Sequence, residues 1–375
     1  MMAKSNDRTL FDTSDEPPKL PASTVEFDVA LMALGTVRGL GHKGLQVLVH
    51  HFGENLGAIF SMRDEDIKCH LSEHKISNST KIALTLAHSS GDLLHDGREG
   101  LKQLETRGIR ILSPSRLPER LRSLGTEAPK WLFVQGDEHL LDAHPTVAVV
   151  GTRKPTNLGC RATNAVCHVL SSYPLVVVSG LADGIDGEAH AASMSRGMKN
   201  VAFLGHGINV VFPEQTSSIR AEIIKQGGVV ASEYMPDQSY QKHQFVERNR
   251  LQAALADVVI PVEAAAASGT AHTARFARKY GRRIVGVRWE GASGIVDELA
   301  KAGDDIIDIL TAAGQKRLDA IIQSVLHTHN QSAYPFQALE RQIAREMKGR
   351  AFRREDVAKL AEAIHRMGNE ASGNG

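Results

Sequence analysis

Four polar or glycine-rich segments, each directly after an apolar run, hold the residues best suited to chemistry. They are Gly151-Thr152-Arg153-Lys154, Ser179-Gly180-Leu181-Ala182-Asp183-Gly184-Ile185-Asp186, Leu204-Gly205-His206-Gly207, and Glu263 followed by Ser268-Gly269-Thr270. In the first, glycine admits close backbone approach, threonine offers a hydrogen bond and arginine a cation, a combination that suits a phosphate. In the second, two glycines open the loop and Asp186 is placed to cap a following helix. Any one of these segments is also what a tight turn needs, but as an array on one edge they predict an anion-binding groove. A fifth segment, Phe245-Val246-Glu247-Arg248-Asn249-Arg250, offers Arg and Asn groups that grip phosphate and sugar oxygens, although Glu247 can equally pair with an arginine on a surface. Arg275, Arg278, Lys279, Arg282 and Arg283 form a basic run. It reads either as a solvated helix face or as a track for a nucleic-acid backbone.

The elements that must position these segments follow from apolar patterning. Val147-Ala148-Val149-Val150, Leu175-Val176-Val177-Val178, Val201-Ala202-Phe203-Leu204, Val229-Val230-Ala231, Val258-Val259-Ile260-Pro261-Val262 and Ile284-Val285-Gly286-Val287 are continuous apolar runs separated by helical stretches. Continuous apolarity means that both faces of a strand are covered, as in a parallel sheet between helices. About six such units predict a doubly wound α/β domain with ligands beyond the carboxyl ends of its strands. Trp131-Leu132-Phe133-Val134 reads as a further short strand.

Upstream, Phe27, Leu31 and Leu34, then Leu45, Leu48, Val49 and Phe52, recur at helical spacing and predict a small helical domain. Its Val37-Arg38-Gly39-Leu40-Gly41-His42-Lys43-Gly44 segment reads either as a hairpin that holds a DNA phosphate or as an ordinary tight helix–helix turn. The division expected is a disordered leader at 1–24, a helical domain at 25–90, a connector at 91–125, the sheet domain at 126–310 and a helical region at 311–375. The last is basic through Arg341, Arg345, Lys348, Arg350, Arg353 and Arg354, so it is either a solvated helical face or an accessory contact surface.

Composition narrows the classes. The net charge of the 375 residues is +1, which excludes a uniformly basic nucleic-acid coat and leaves room only for a local basic patch. No apolar run approaches the roughly 20 residues of a membrane span, and the polar start lacks a secretory signal, so a cytoplasmic protein is expected. Cys69, Cys160 and Cys167 have no paired spacing, and neither His50-His51 nor His70 with His74 has carboxylate partners, so no metal and no cofactor is expected. Two Trp, five Tyr and eleven Phe argue against a long base-stacking platform. Strand binding should then rest on phosphates, with a logarithmic salt slope of roughly −0.7 per phosphate.

The ordered set GTR, SGLADGID with Ala189-His190, LGHGIN, FPEQ from Phe212, SEY from Ser232, F-x-x-RNR and VEA-x-x-x-SGT resembles the DprA/Smf family of DNA-processing proteins over residues 111 to 308. The resemblance implies an extended Rossmann-like domain that binds single-stranded DNA, forms a homodimer and helps to load the RecA recombinase, especially in transformation. It also implies a helical domain of sterile-alpha-motif type ahead of it, to which residues 25–90 are similar. The family's GSR appears as Gly151-Thr152-Arg153. On this reading Arg153, Arg248 and Arg250 hold phosphates, and Thr152, Ser179 and Thr270 donate hydrogen bonds. Gly151, Gly180, Gly205, Gly207 and Gly269 bring backbone close, with Asn249 and Ser268 completing the site. The family's SGLARGID departs here to Asp183, a carboxylate where phosphate is expected. Residues after 311 do not resemble the winged helix some members carry.

Two other readings differ in role. Related phosphoribohydrolases share a loop like Ser268-Gly269-Thr270, but they carry PGGxGT followed closely by a glutamate, whereas Ala271-His272-Thr273-Ala274-Arg275 has no carboxylate for acid–base work. A dehydrogenase would need G-x-G-x-x-G after the first strand. A DprA-like partner of a cognate toxin in phage defence keeps the fold and changes the partner. The expectation is a binding protein, not an enzyme.

Overall fold

A computed structural model describes residues 25–292 and 294–327. The leader expected at 1–24 and residues 328–375 of the C-terminal region, with all six of its named basic side chains, lie outside the described residues. Two compact units are present, one reaching to Leu117 with Pro129–Leu132, the other comprising Pro118–Ala128 and everything from Phe133 onward.

The first unit holds α1 (Phe27–Thr36), α2 (Gly41–Phe52), α3 (Asp64–Glu73), α4 (Ser79–His88), α5 (Ser90–Thr106) and the strand β1 (Ile109–Leu112). Helical spacing of the apolar residues produces its core: Phe27, Leu31 and Leu34 of α1 and Leu45, Leu48, Val49 and Phe52 of α2 are all buried. At Gly97 in α5 a Cβ would come within 2.7 Å of the Val29 carbonyl, so α1 and α5 meet backbone to backbone. Gly39 and Gly41, at φ of +94° and +60°, turn the chain between α1 and α2.

The second unit opens with the short helix α6 (Glu119–Arg122) and β2 (Leu132–Gly136). There follow β3 (Thr146–Val150), α7 (Asn157–Leu170), β4 (Val176–Ser179), α8 (Ile185–Met194), β5 (Lys199–Phe203), α9 (Ser217–Lys225) and β6 (Val229–Ser232). Then come α10 (Lys242–Leu255), β7 (Val258–Pro261), α11 (Gly269–Lys279), β8 (Arg283–Arg288), α12 (Ile295–Lys301) and β9 (Asp305–Asp308). The strands lie in the order β2-β6-β5-β4-β3-β7-β8-β9, and only β2 runs antiparallel to its neighbour β6. This is the mostly parallel, doubly wound α/β architecture that the continuous apolar runs predict. Every residue of β3, β4, β6 and β7 is buried, which requires cover on both faces. Residues 312–327 form a helix whose Leu318, Ile321 and Ile322 join the sheet core beside Val147, Val149 and Val258.

Strand order places the functional edge. From β3 the chain winds outward through β4, β5 and β6, then returns so that β7 pairs with the other side of β3. The windings diverge between β3 and β7, leaving a crevice beyond their carboxyl ends.

One polar cluster braces the opposite end of these strands. Asp257, between α10 and β7, accepts from the Thr146 N–H at 2.8 Å and pairs with Arg120 of α6. Burial pushes its carboxyl up, but His144, Arg120 and the Thr146 N–H outweigh that and hold it well below the usual carboxylate range. A depressed carboxyl contributes stability that is complete above its unfolded pKa of about 3.9 and is lost as pH falls below it. Asp257→Asn should cost about 3 kcal/mol at neutral pH. In thermal melts its Tm should fall less steeply than wild type from about pH 4 downward; parallel slopes would refute the linkage.

Candidate nucleic-acid interface

At the crevice, the turn after β3 is fixed by backbone on both sides. The Thr152 N–H donates to the Glu263 carbonyl at 2.6 Å, and the Thr152 carbonyl accepts from the Ile185 N–H at 3.0 Å. A Cβ at Gly151 would lie 2.6 Å from the Ile185 side chain and 2.9 Å from the Glu263 carbonyl, so only glycine fits between β7 and α8. Gly184, at φ +81°, is required for a similar reason, since a Cβ there would come within 2.3 Å of the Thr152 carbonyl.

A cleft of about 340 Å³ opens above this turn, lined by Gly151, Thr152, Arg153, Arg248, Asn249, Ser268, Gly269 and Thr270 among others. Its neighbour, a small hollow, shares Arg153 and Phe245 with it and adds Gly180, Asp183, Gly205 and Phe212. The fold thus assembles ten of the thirteen residues expected at the site from the ends of β3, β4, β5 and β7 and from α10. Arg153 is exposed, with its guanidinium 4.6 Å from the centre of the Phe245 ring, a cation–π contact that holds the charge at the cleft mouth.

The other arginines have different surroundings. Arg248 is only 3% exposed; its guanidinium donates to the Gly180 carbonyl at 2.7 Å and to the Phe203 carbonyl. A Cβ at Gly180 would sit 2.4 Å from it, so that glycine exists to let the guanidinium pass. Burial pushes Arg248 down to about 10, with Arg153 adding to the effect and Asp186 opposing it. Asp186 is buried as well. Burial raises its carboxyl, against the pull of Arg248, the Gly151 and Ala182 N–H groups and the Ser179 hydroxyl. Ser179 also meets the Val149 carbonyl at 2.7 Å and is fully buried, so it braces the floor and does not reach the cleft.

Arg250 lies two residues beyond Arg248, roughly 200° around the helix. It points away from the cleft into a two-pronged pair with Glu233 at 2.6 Å per bond, and its Nε donates to the Glu127 carbonyl. Gly207 also lies outside, donating its N–H to the Gln238 carbonyl and packed where a Cβ would strike the Met235 carbonyl. In the basic run, Arg278, Lys279 and Arg283 pair with Asp304, Glu127 and Asp305, which leaves Arg275 as its exposed member without such a pair among the described residues.

Helix starts differ sharply around the crevice. At α7, Glu263 accepts from the Thr156 N–H at 2.9 Å and its hydroxyl at 3.2 Å, and its carboxylate fills the space where a Gly159 Cβ would be. A protein carboxylate thus occupies the place beneath the first turn where a phosphate would otherwise be drawn. At α11, Ser268 caps the Ala271 N–H, and Asn249 ties the loop down by donating to the Gly269 carbonyl at 3.1 Å. That start opens onto the cleft.

Sequence reasoning missed a cluster of aromatic rings. Phe212 and Tyr240 stack with centroids 3.7 Å apart, and Phe245 lies 5.8 Å and 6.0 Å from them. Tyr240 is 46% exposed. The cluster draws on three separate segments, so no local pattern revealed it. Lys242, at the first turn of α10, also lines the cleft and was missed. Here a signal existed: Lys242, Phe245, Val246 and Asn249 fall at the i, i+3, i+4, i+7 spacing of one helical face.

The family model for DNA recombination-mediator protein A matches residues 109–314, more than half of the chain. The chain belongs to that family. It is 37% identical over 159 residues to protein Smf of Escherichia coli, covering 42% of each chain, and 34% identical over 191 residues to DNA processing protein DprA of Streptococcus pneumoniae, covering 48% of this chain and 67% of that one. It spans less than half the length of the first of these and two thirds of the second. Among solved structures it is similar to DNA processing protein A of Helicobacter pylori, described for its unique single-stranded DNA binding mode. The TM-score is 0.51 at 29% identity, covering 58% of this chain and 96% of that one. The S. pneumoniae protein gives a TM-score of 0.56 at 26% identity, covering 76% and 95%. Among the described residues no helix is long and apolar enough to cross a membrane, and no group of His, Cys, Asp and Glu is placed to hold a metal ion.

Arg248 and Arg153 should separate cleanly in a melt. Arg248→Met strands the buried Asp186 and two carbonyls, which should cost about 3 kcal/mol and lower the Tm by roughly 10 °C. A Tm unchanged from wild type would show that the guanidinium does not brace the loops.

Proposed function

We propose that this protein binds single-stranded DNA along the carboxyl edge of its sheet and does not cut it. The observation that carries the reading is Arg153, an exposed guanidinium held over Phe245 at the mouth of a cleft on the strand-order switch point. Beside it lie the Thr152 hydroxyl, Lys242 and the α11 start at Ser268-Gly269-Thr270, a set of donors matched to phosphate oxygens. The adjoining rings of Phe212, Tyr240 and Phe245 offer faces on which bases can stack, in keeping with a strand whose bases are unpaired. Single-stranded DNA is also the ligand for which the H. pylori relative is described.

Two features favour holding a strand over hydrolysing a nucleotide. Glu263 is engaged at the start of α7, and Asp186, a buried member of the cleft lining, is held by the Gly151 and Ala182 N–H groups and the Ser179 hydroxyl, so both carboxylates are already committed to protein donors. As a recombination mediator, the protein would pass its bound strand to a RecA-type recombinase and act as a homodimer.

Arg153→Glu should weaken binding of an unstructured oligonucleotide at least tenfold, about 1.4 kcal/mol, with an unchanged Tm; equal affinity would remove Arg153 from the interface. Asp183 shares the hollow with Arg153 and repels phosphate there. Asp183→Arg should therefore raise affinity several-fold at low salt and steepen the logarithmic salt slope by about 0.7. A weaker or salt-insensitive variant would move the strand's path off this hollow.

A further inference from the structure

The carboxylates of the first unit are sharply segregated. Between Asp28 and Glu54 the chain carries Arg38 and Lys43 and no acid; between Glu73 and Asp92 it carries Lys75 and Lys81 and again no acid. The intervening stretch holds Glu54, Asp64, Glu65, Asp66 and Glu73. The fold brings the two acid-free stretches together: a Cβ on Gly39 would lie 3.6 Å from the Asn78 amide nitrogen, and one on Gly44 would lie 3.6 Å from Ile76. Arg38, Lys43, Lys75 and Lys81 are all exposed, and none forms an ion pair with a carboxylate among the described residues. Four exposed cations thus stand on two stretches that the fold brings together, in a protein whose overall charge is +1.

Asn78, Ser79, Thr80, Lys81 and Thr85, with the exposed Leu84, border a broad depression of about 660 Å³, and Gly39 and Gly41 at positive φ leave backbone of the α1–α2 turn uncovered by their own side chains. Neither acid-free stretch contains a Trp or Tyr, and the one Phe, Phe52, is buried. The exposed rings of these stretches are histidines, His88 beside the depression among them, so a single strand would find cations here but no Trp, Tyr or exposed Phe on which to stack its bases. A duplex stacks its own bases and presents phosphates outward, so cations with hydroxyl and amide donors suffice.

We propose that this acid-free face of the first unit is a second nucleic-acid contact, one that takes the phosphate backbone of duplex DNA. It is separate from the cleft in the sheet unit and does not depend on the reading given to that cleft. The turn at Gly39 and Gly41 and the start of α4 supply the donors, and Arg38, Lys43, Lys75 and Lys81 supply the charge.

The test uses the full chain, a blunt DNA duplex and an unstructured single strand, read by fluorescence anisotropy across a salt series. Lys43→Glu with Lys81→Glu should weaken duplex binding at least tenfold and flatten its logarithmic salt slope by about 2, since each lost phosphate contact contributes about 0.9. Single-strand affinity should stay within about twofold, and Arg153→Glu should show the opposite pattern. Lys43→Ala with Lys81→Ala should give a smaller loss in the same direction, which keeps the test open should the charge reversal disturb folding. Lys68→Glu, in the acid-rich stretch, should leave duplex binding unchanged. The proposal is overturned if wild type fails to bind the duplex, if both lysine pairs leave duplex binding intact, if Lys68→Glu weakens it equally, or if single-strand binding falls in parallel.

Discussion

The architecture of the cleft depends on a guanidinium that does not see solvent. Arg248 reaches from α10 to the carbonyls at the ends of β4 and β5, while Asp186 gathers the N–H groups of Gly151 and Ala182 from the loops after β3 and β4. Each ion is costly to bury, and each offsets part of the other's cost. Their joint effect is to hold loops that have no regular hydrogen-bond ladder of their own. Gly180 and Gly151 follow from this, because any side chain there would displace the guanidinium or the start of α8.

With the floor fixed, the charge needed for a polyanion moves one layer outward. Among the described residues Arg153 makes no ion pair, and it rests on an aromatic face, so its charge remains available at the cleft mouth. Arg248, almost wholly buried, brings its charge to the floor of the cleft. Glu263 closes the α7 start, whereas the α11 start at Ser268-Gly269-Thr270 lines the cleft. The result is a preorganised array of backbone and side-chain donors with two exposed cations, Arg153 and Lys242, an arrangement suited to phosphate groups.

The two units divide their chemistry differently. In the sheet unit, donors converge from strand ends that are distant in sequence, and aromatic rings lie beside them. In the helical unit, two stretches, 29–53 and 74–91, carry basic residues and no acid. Of the Arg275–Arg283 run, by contrast, three members are consumed by Asp304, Glu127 and Asp305, so a dense basic segment contributes little free charge.

The amino-acid sequence by itself determined the sheet, because continuous valine-rich runs can be satisfied only by cover on both faces, and it located the edge, because glycines and hydroxyls follow those runs. It also carried the motifs by which the family is known. Only the tertiary structure separated residues that look alike in one dimension. Arg248 and Arg250 sit in the same RNR segment, yet two residues is more than half a turn of helix, so one lies under the cleft and the other against Glu233. Ser179 and Gly207 fell away from the cleft for a similar reason: their neighbours in space, the Val149 carbonyl and the Met235 carbonyl, are remote in the chain. The ring cluster of Phe212, Tyr240 and Phe245 came into being only when β5, β6 and α10 packed, since proximity across distant segments is a property of the fold and not of local spacing.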